Sequence, residues 1–107
     1  MAPLHTGKKV NRRAIMATLP NRFKITIISK DITRGDKKNS SYCPVALTLR
    51  KQFPGLGVLV GKNATILRDT DYSIRYYKHS SRLEKFIARF DRGISMEPAS
   101  FVLTRIT

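Results

Sequence analysis

Two histidines, one cysteine and seven acidic residues are the side chains of this 107-residue sequence with the means to move protons, attack a carbonyl or hold a metal ion. Cys43 directly precedes Pro44. A thiol at a helix N-terminus can be lowered into a reactive thiolate, but the apolar run after Pro44 favours a buried cysteine acting as a small hydrophobe. His5 and His79 have no Cys, His or carboxylate at the spacing of a zinc site. His79 reads as a solvated residue just ahead of a helix. Asp69-x-Asp71 places two carboxylates in a turn, too few to hold a cation alone, and local hydrogen bonds of a polar turn explain the pair. Asn63-Ala64-Thr65 matches the glycosylation tripeptide. In a chain whose single cysteine points to an intracellular setting, it reads as a hairpin turn. Gly55 and Gly57 match no phosphate-loop spacing. The expectation is a protein that is not an enzyme and needs no cofactor or metal.

Charge is the stronger signal. Lys and Arg number 21 against 7 Asp and Glu, a formal net of +14. Residues 1–40 carry ten basic and two acidic side chains, and the remainder eleven and five. A surplus of this size attracts polyanions over several ångströms, and nucleic acid is the first candidate partner. No apolar run approaches the roughly 18 residues of a membrane span, and no signal-peptide core opens the sequence. The basic, acid-free first 30 residues suit a transit peptide only superficially, lacking its amphipathic Arg and Ser pattern.

The elements that must position these charges follow from periodicity. Residues 1–21 read as a basic arm holding Lys8, Lys9, Arg12 and Arg13, closed by Pro20-Asn21. Residues 22–107 read as one α+β core domain. Phe23, Ile25 and Ile27 alternate with polar residues as a half-buried strand does. Residues 30–41 read as a polar loop with Lys30, Arg34, Lys37 and Lys38. Pro44 suits the first turn of a helix over residues 43–53, capped by Ser40 or Ser41 and stopped by Pro54-Gly55. Residues 57–61 and 65–68 form a hairpin around Lys62-Asn63-Ala64, and residues 72–78 alternate as another strand. Ser81-Arg82-Leu83-Glu84 reads as a capping box. Leu83, Phe86, Ile87 and Phe90 then share one helical face, and Gly93 supplies a left-handed cap. Residues 100–103 form the last strand. The order β-α-β-β-β-α-β predicts a single antiparallel or mixed sheet with two helices on one face, like a split βαβ sandwich, plus the arm.

Within this frame, Ile74 between Tyr72 and Tyr76 suggests a core-facing set, which turns Arg75 and Tyr77 outward. Aromatics interleaved with cations on a sheet can stack bases while the cations hold phosphates. On the second helix Arg82, Lys85, Arg89 and Arg92 are mixed with Glu84 and Asp91, close enough for local pairing. That helix therefore reads as scaffold. The expected nucleic-acid contacts are Lys8, Lys9, Arg12, Arg13, Lys30, Arg34, Lys37 and Lys38 on phosphates, with Arg75 and Tyr77 beside them.

Four segments carry a resemblance: Asp31-Ile32-x-x-Gly35, Ser40-x-x-Cys43-Pro44-Val45-Ala46-Leu47-x-Leu49, Phe86-Ile87-x-x-Phe90-Asp91-x-Gly93 and Pro98-x-x-Phe101-x-Leu103. Together they resemble small uncharacterised proteins encoded by tailed bacteriophages. The resemblance covers about residues 23–103 and omits the arm. It implies an infected bacterial cytoplasm or a virion as the setting, and no particular chemistry. The partner expected is DNA or RNA, with no membrane contact. A rival reading is a protein-binding module, either an inhibitor of an acidic host protein or a virion component. Val10, Ala14, Ile15, Met16 and Leu19 favour that rival, since a purely phosphate-binding arm needs no apolar content. Open sheet faces and edge strands leave room for a homodimer.

Overall fold

The computed structural model describes residues 19–69 and 73–106. Lys8, Lys9, Arg12 and Arg13, with Asp71 and Tyr72, lie outside the described residues. The elements are β1 (Arg22–Ile27), α1 (Ser29–Arg34), α2 (Pro44–Gln52), β2 (Gly57–Val60), β3 (Ala64–Arg68), β4 (Ile74–Lys78), α3 (Ser81–Asp91) and β5 (Ala99–Arg105). They form an α+β domain with one curled five-stranded sheet in the order β1-β5-β4-β3-β2, antiparallel at every pairing. Four antiparallel steps separate the edges, so β1 and β2 run in the same direction with three strands between them. The chain between these edges holds α1 and α2, and α2 packs on both β1 and β2. That shared contact draws the two edges toward one helix and curls the sheet.

Alternation sorts the strands. Ile25, Ile27, Val58, Val60, Thr65, Leu67, Tyr77, Phe101 and Leu103 face the helices and are buried. Each fully buried aliphatic side chain contributes on the order of 1.5–3 kcal/mol. Val45, Ala46 and Leu49 of α2, and Leu83, Phe86 and Phe90 of α3, close the core from above. Phe23 meets both Phe53 and Tyr77 edge to face, at ring-centroid distances of 5.2 and 4.9 Å. Leu19 also packs into this core. The main chain from Pro20 onward is tied in, because Pro20 and Asn21 offer their carbonyls to Tyr77 Oη and Arg105 N.

The polar stretch read as a loop starts with a helix. Six residues are too few for α1 to stand on propensity, so its stability comes from tertiary bonding. Asp31 is buried against α2, where its Oδ2 accepts from Thr48 Oγ1 and its Oδ1 pairs with Lys51 Nζ, both at 2.8 Å. Gly35 ends α1 against the Pro44 ring. A Cβ there would stand 2.5 Å from Pro44 Cδ, so only a glycine lets the two helices approach.

The caps differ from the sequence reading by small shifts. Cys43, not Ser40 or Ser41, is the N-cap of α2, and no side chain caps it. The Ser40 carbonyl accepts from Val60 N and the Ser41 carbonyl from Arg50 Nε, which fastens this loop to β2 and to α2. On α3 the cap is Ser80, whose Oγ accepts from Leu83 N at 3.2 Å. Ser81 is already helical, so the capping-box register is one residue off. Gly93 takes φ +82° as expected and terminates α3.

Candidate functional site

Opposite the helices, the sheet has a second face that no described element covers. It is built from the alternate residues of all five strands, brought together by the register. Arg22, Thr104, Lys78 and Ala64 align across β1, β5, β4 and β3. Tyr76, Ile66 and Leu59 align across β4, β3 and β2, and Ile74, Arg68 and Gly57 form the next row. Lys24 pairs with Val102, and Ile106 reaches the same row as Tyr76 through its amide bond to the Tyr76 carbonyl. Arg22, Lys24, Arg68 and Lys78 are all exposed. No residue of the five strands on this face is a carboxylate. Tyr76, Ile74, Leu59 and Ile106 are between 40% and 55% exposed, so apolar surface and positive charge are interleaved in water.

At the β2 side this face runs into a cleft of about 340 Å³ whose walls include Leu59, Ile66, Ile74, Arg50 and Arg68. Arg50 is held there by its bond to Ser41, and its guanidinium lies 5.0 Å from the centre of the exposed Tyr42 ring.

The expected outward pair is corrected. Tyr77 is fully buried, and its hydroxyl donates to the Pro20 carbonyl at 3.1 Å. Burial pushes its phenol up, with the nearby Arg105 and Arg75 charges opposing. Arg75 shares the helix-side face with Tyr77 and is half-buried, its Nη1 turned back toward the Ile74 carbonyl at 3.4 Å. The alternation along β4 was right and its phase was inverted: Ile74 and Tyr76 are the exposed set. Period two yields two sets of residues, and which set faces inward depends on cross-strand partners. Here Tyr77 pairs with buried Thr65 and packs on Phe23.

Lys30, Arg34, Lys37 and Lys38 are exposed on the other side of the molecule, on α1 and the loop after it. Two of them stand beside the end of α3: Lys38 N donates to Asp91 Oδ1 at 2.8 Å, and Lys37 Nζ lies close to Gly93. Lys38 holds φ +55° to do so. The expected pairing along α3 is absent, because among the described residues no ion pair joins Glu84 to Lys85 or Arg89. Arg82 lies over the Phe101 ring at 5.2 Å. The helical side therefore has many cations, but Asp36, Glu84 and Asp91 are set among them, whereas the charged residues that the five described strands place on the open face are all basic.

Of the residues first singled out for chemistry, Cys43, His79 and Asp69 are buried, while His5 and Asp71 lie outside the described residues. Cys43 is buried, and burial pushes its thiol up despite backbone N–H groups of Val45 and Ala46 that pull the other way. His79 is not solvated. It is 2% exposed, with Thr65 Oγ1 at 2.7 Å from Nε2 and the Lys62 carbonyl at 3.2 Å from Nδ1. The carbonyl can only accept, so Nδ1 donates, and the Thr65 hydroxyl can serve Nε2 as donor or acceptor. Burial pulls its pKa down. Asp69 is buried with its amide bonded to the Ser73 carbonyl. Among the described residues no group of three His, Cys, Asp or Glu side chains is placed to hold a metal ion, and no helix is long and apolar enough to cross a membrane.

No protein-family model matches the chain, and no curated protein or solved structure matches it.

Proposed function

We propose that this chain is a non-enzymatic nucleic-acid-binding protein that holds the phosphate backbone on the open face of its sheet. The supporting observation is the charge of that face: the residues that the described strands place on it include Arg22, Lys24, Arg68 and Lys78 and no Asp or Glu. A surface selected for solubility alone mixes signs, as the helical side does. Lys37 and Lys38 add positive charge at the end of α3, Lys30 and Arg34 add it on α1, and Lys8, Lys9, Arg12 and Arg13 add cations upstream of Arg22 in sequence. The resemblance to phage proteins supports an infected bacterial cytoplasm or a virion as the setting.

Fluorescence anisotropy with labelled oligonucleotides tests this reading. Binding at about 50 mM salt should be lost by about 300 mM, with a log–log slope near −0.7 per phosphate neutralised on a single strand. Absence of binding to every DNA and RNA at the lower salt overturns it. Retention of a host protein after nuclease treatment would then favour the protein-binding alternative, for which the apolar residues of the same face speak.

A further inference from the structure

We infer that the ligand of the open face is single-stranded, with one unpaired base stacked on Tyr76 and a neighbouring base in the cleft between Arg50 and Arg68. This rests on the nucleic-acid reading above and goes beyond it in naming the strandedness and the base contacts.

The apolar half of the face carries the inference. A duplex offers a protein phosphates and groove edges while its base faces stay stacked on each other. Cations alone would suffice for such a ligand. Here the cations are interleaved with Tyr76, Leu59, Ile66, Ile74 and Ile106, an apolar surface that phosphate contacts alone would leave in water. Unpaired bases are such groups, and stacking on an aromatic ring tolerates any base because each has a π-face. The exposed Arg22, Lys24 and Lys78 select this occupant over a neutral apolar peptide.

Geometry supports two adjacent base sites. Tyr76 and Lys78 sit two residues apart on one strand, about 7 Å along its axis, so a base on the ring leaves its phosphate within reach of the ammonium. Tyr76, Ile66 and Leu59 form one cross-strand row. Two strand spacings, about 9.6 Å, therefore lead from the ring to the cleft floor. The cleft volume of about 340 Å³ exceeds that of a planar base, and Arg50 and Arg68 are among its walls. Arginine planes at such sites both stack and donate.

The decisive measurement compares four ligands of about 20 units with the intact chain: single-stranded DNA, single-stranded RNA, duplex DNA and a single-stranded abasic DNA of equal charge. The expectation is tighter binding of both base-bearing single strands than of duplex or abasic strand. Tyr76→Ala should weaken the single strands about 5- to 150-fold without changing abasic binding, and Tyr76→Phe should restore it. Leu59→Ser should weaken single strands in the same selective way. Equal affinity for all four ligands, or a Tyr76→Ala loss shared by the abasic strand, overturns this inference and leaves the phosphate-binding proposal standing. No binding to any of the four overturns both. Both substituted residues are about two-fifths exposed, at 40% and 43%, and unchanged thermal unfolding of each variant shows that the fold is retained.

Discussion

The Thr48 hydroxyl and the Asp31 carboxylate, 17 residues apart in sequence, meet at 2.8 Å in the interior and join α2 to α1. Lys51 completes the carboxylate from solvent, with its own side chain 54% exposed. The two contacts are unequal in worth. A buried hydrogen bond to a charged acceptor contributes about 1.5–3 kcal/mol, while a half-exposed ion pair contributes about 0–1 kcal/mol. Urea unfolding of Thr48→Val should thus show a loss of about 1.5–3 kcal/mol and Lys51→Ala no more than about 1 kcal/mol. Equal losses would mean that the ion pair is the main anchor of α1.

His79 makes stability depend on pH. Its folded pKa lies below the ordinary value of about 6.5 because the ring is buried. Between those two values the unfolded chain is protonated and the folded chain is not, so stability falls with acidification. The melting temperature should be flat with respect to this group above about pH 7 and decline as the pH drops below about 6.5. Replacing His79 with Gln should remove that part of the decline.

Gly35 and Gly93 are needed for different reasons, and alanine separates them. At Gly35 the backbone is ordinary, φ −69°, and the obstacle is the Pro44 ring. Gly35→Ala should destabilise by about 1–3 kcal/mol as an overpacking change. Shrinking the neighbour through Pro44→Ala should recover part of it. At Gly93 the obstacle is φ +82°, and alanine there should cost about 1–2 kcal/mol, less for Asn. Denaturant titration of the Gly35→Ala, Pro44→Ala double variant decides whether contact or backbone is at issue.

Charge reversal locates the binding face. Lys24→Glu with Lys78→Glu should abolish oligonucleotide binding at about 100 mM salt and reduce the salt slope of what remains. Lys37→Glu with Arg92→Glu, on the helical side, should weaken it far less. The opposite ranking in anisotropy titrations would move the interface to the end of α3.

Tyr76 and Tyr77 should part company in the same assays. Tyr77→Phe removes the bond to the Pro20 carbonyl and should cost about 0.5–1.5 kcal/mol of stability with unchanged binding. Tyr76→Ala should do the reverse.

The strands and the two longer helices are legible because their residues repeat at periods of 2 and 3.6. The Phe23, Ile25, Ile27 set and the Leu83, Phe86, Phe90 set face the core as their spacing implies. What escaped depends on partners remote in sequence. α1 is held by Thr48 and Lys51, not by its own pattern. His79 is buried because Thr65 and Lys62 supply its hydrogen bonds from the neighbouring hairpin. The candidate site suffered most, since choosing Tyr76 over Tyr77 required knowing which neighbour β4 pairs with. A cue was present: Tyr77 has the same parity as His79 and Tyr76 the same as Lys78, and of those two neighbours the lysine is the one that stays in water.

The β1–β5 pairing has a consequence for how the protein comes into being. Every pair in that register, from Ile27 with Ala99 to Arg22 with Thr104, joins residues more than 70 positions apart. β5 also lies between β1 and β4, so until it inserts, both of those strands expose unpaired edges and much of the core has no floor. Closing such a loop is entropically costly before any contact rewards it. During synthesis the nascent chain is therefore obliged to wait, sticky and half-assembled, for Ala99–Arg105 to leave the ribosome. The interval before that strand arrives is when the protein most needs a chaperone.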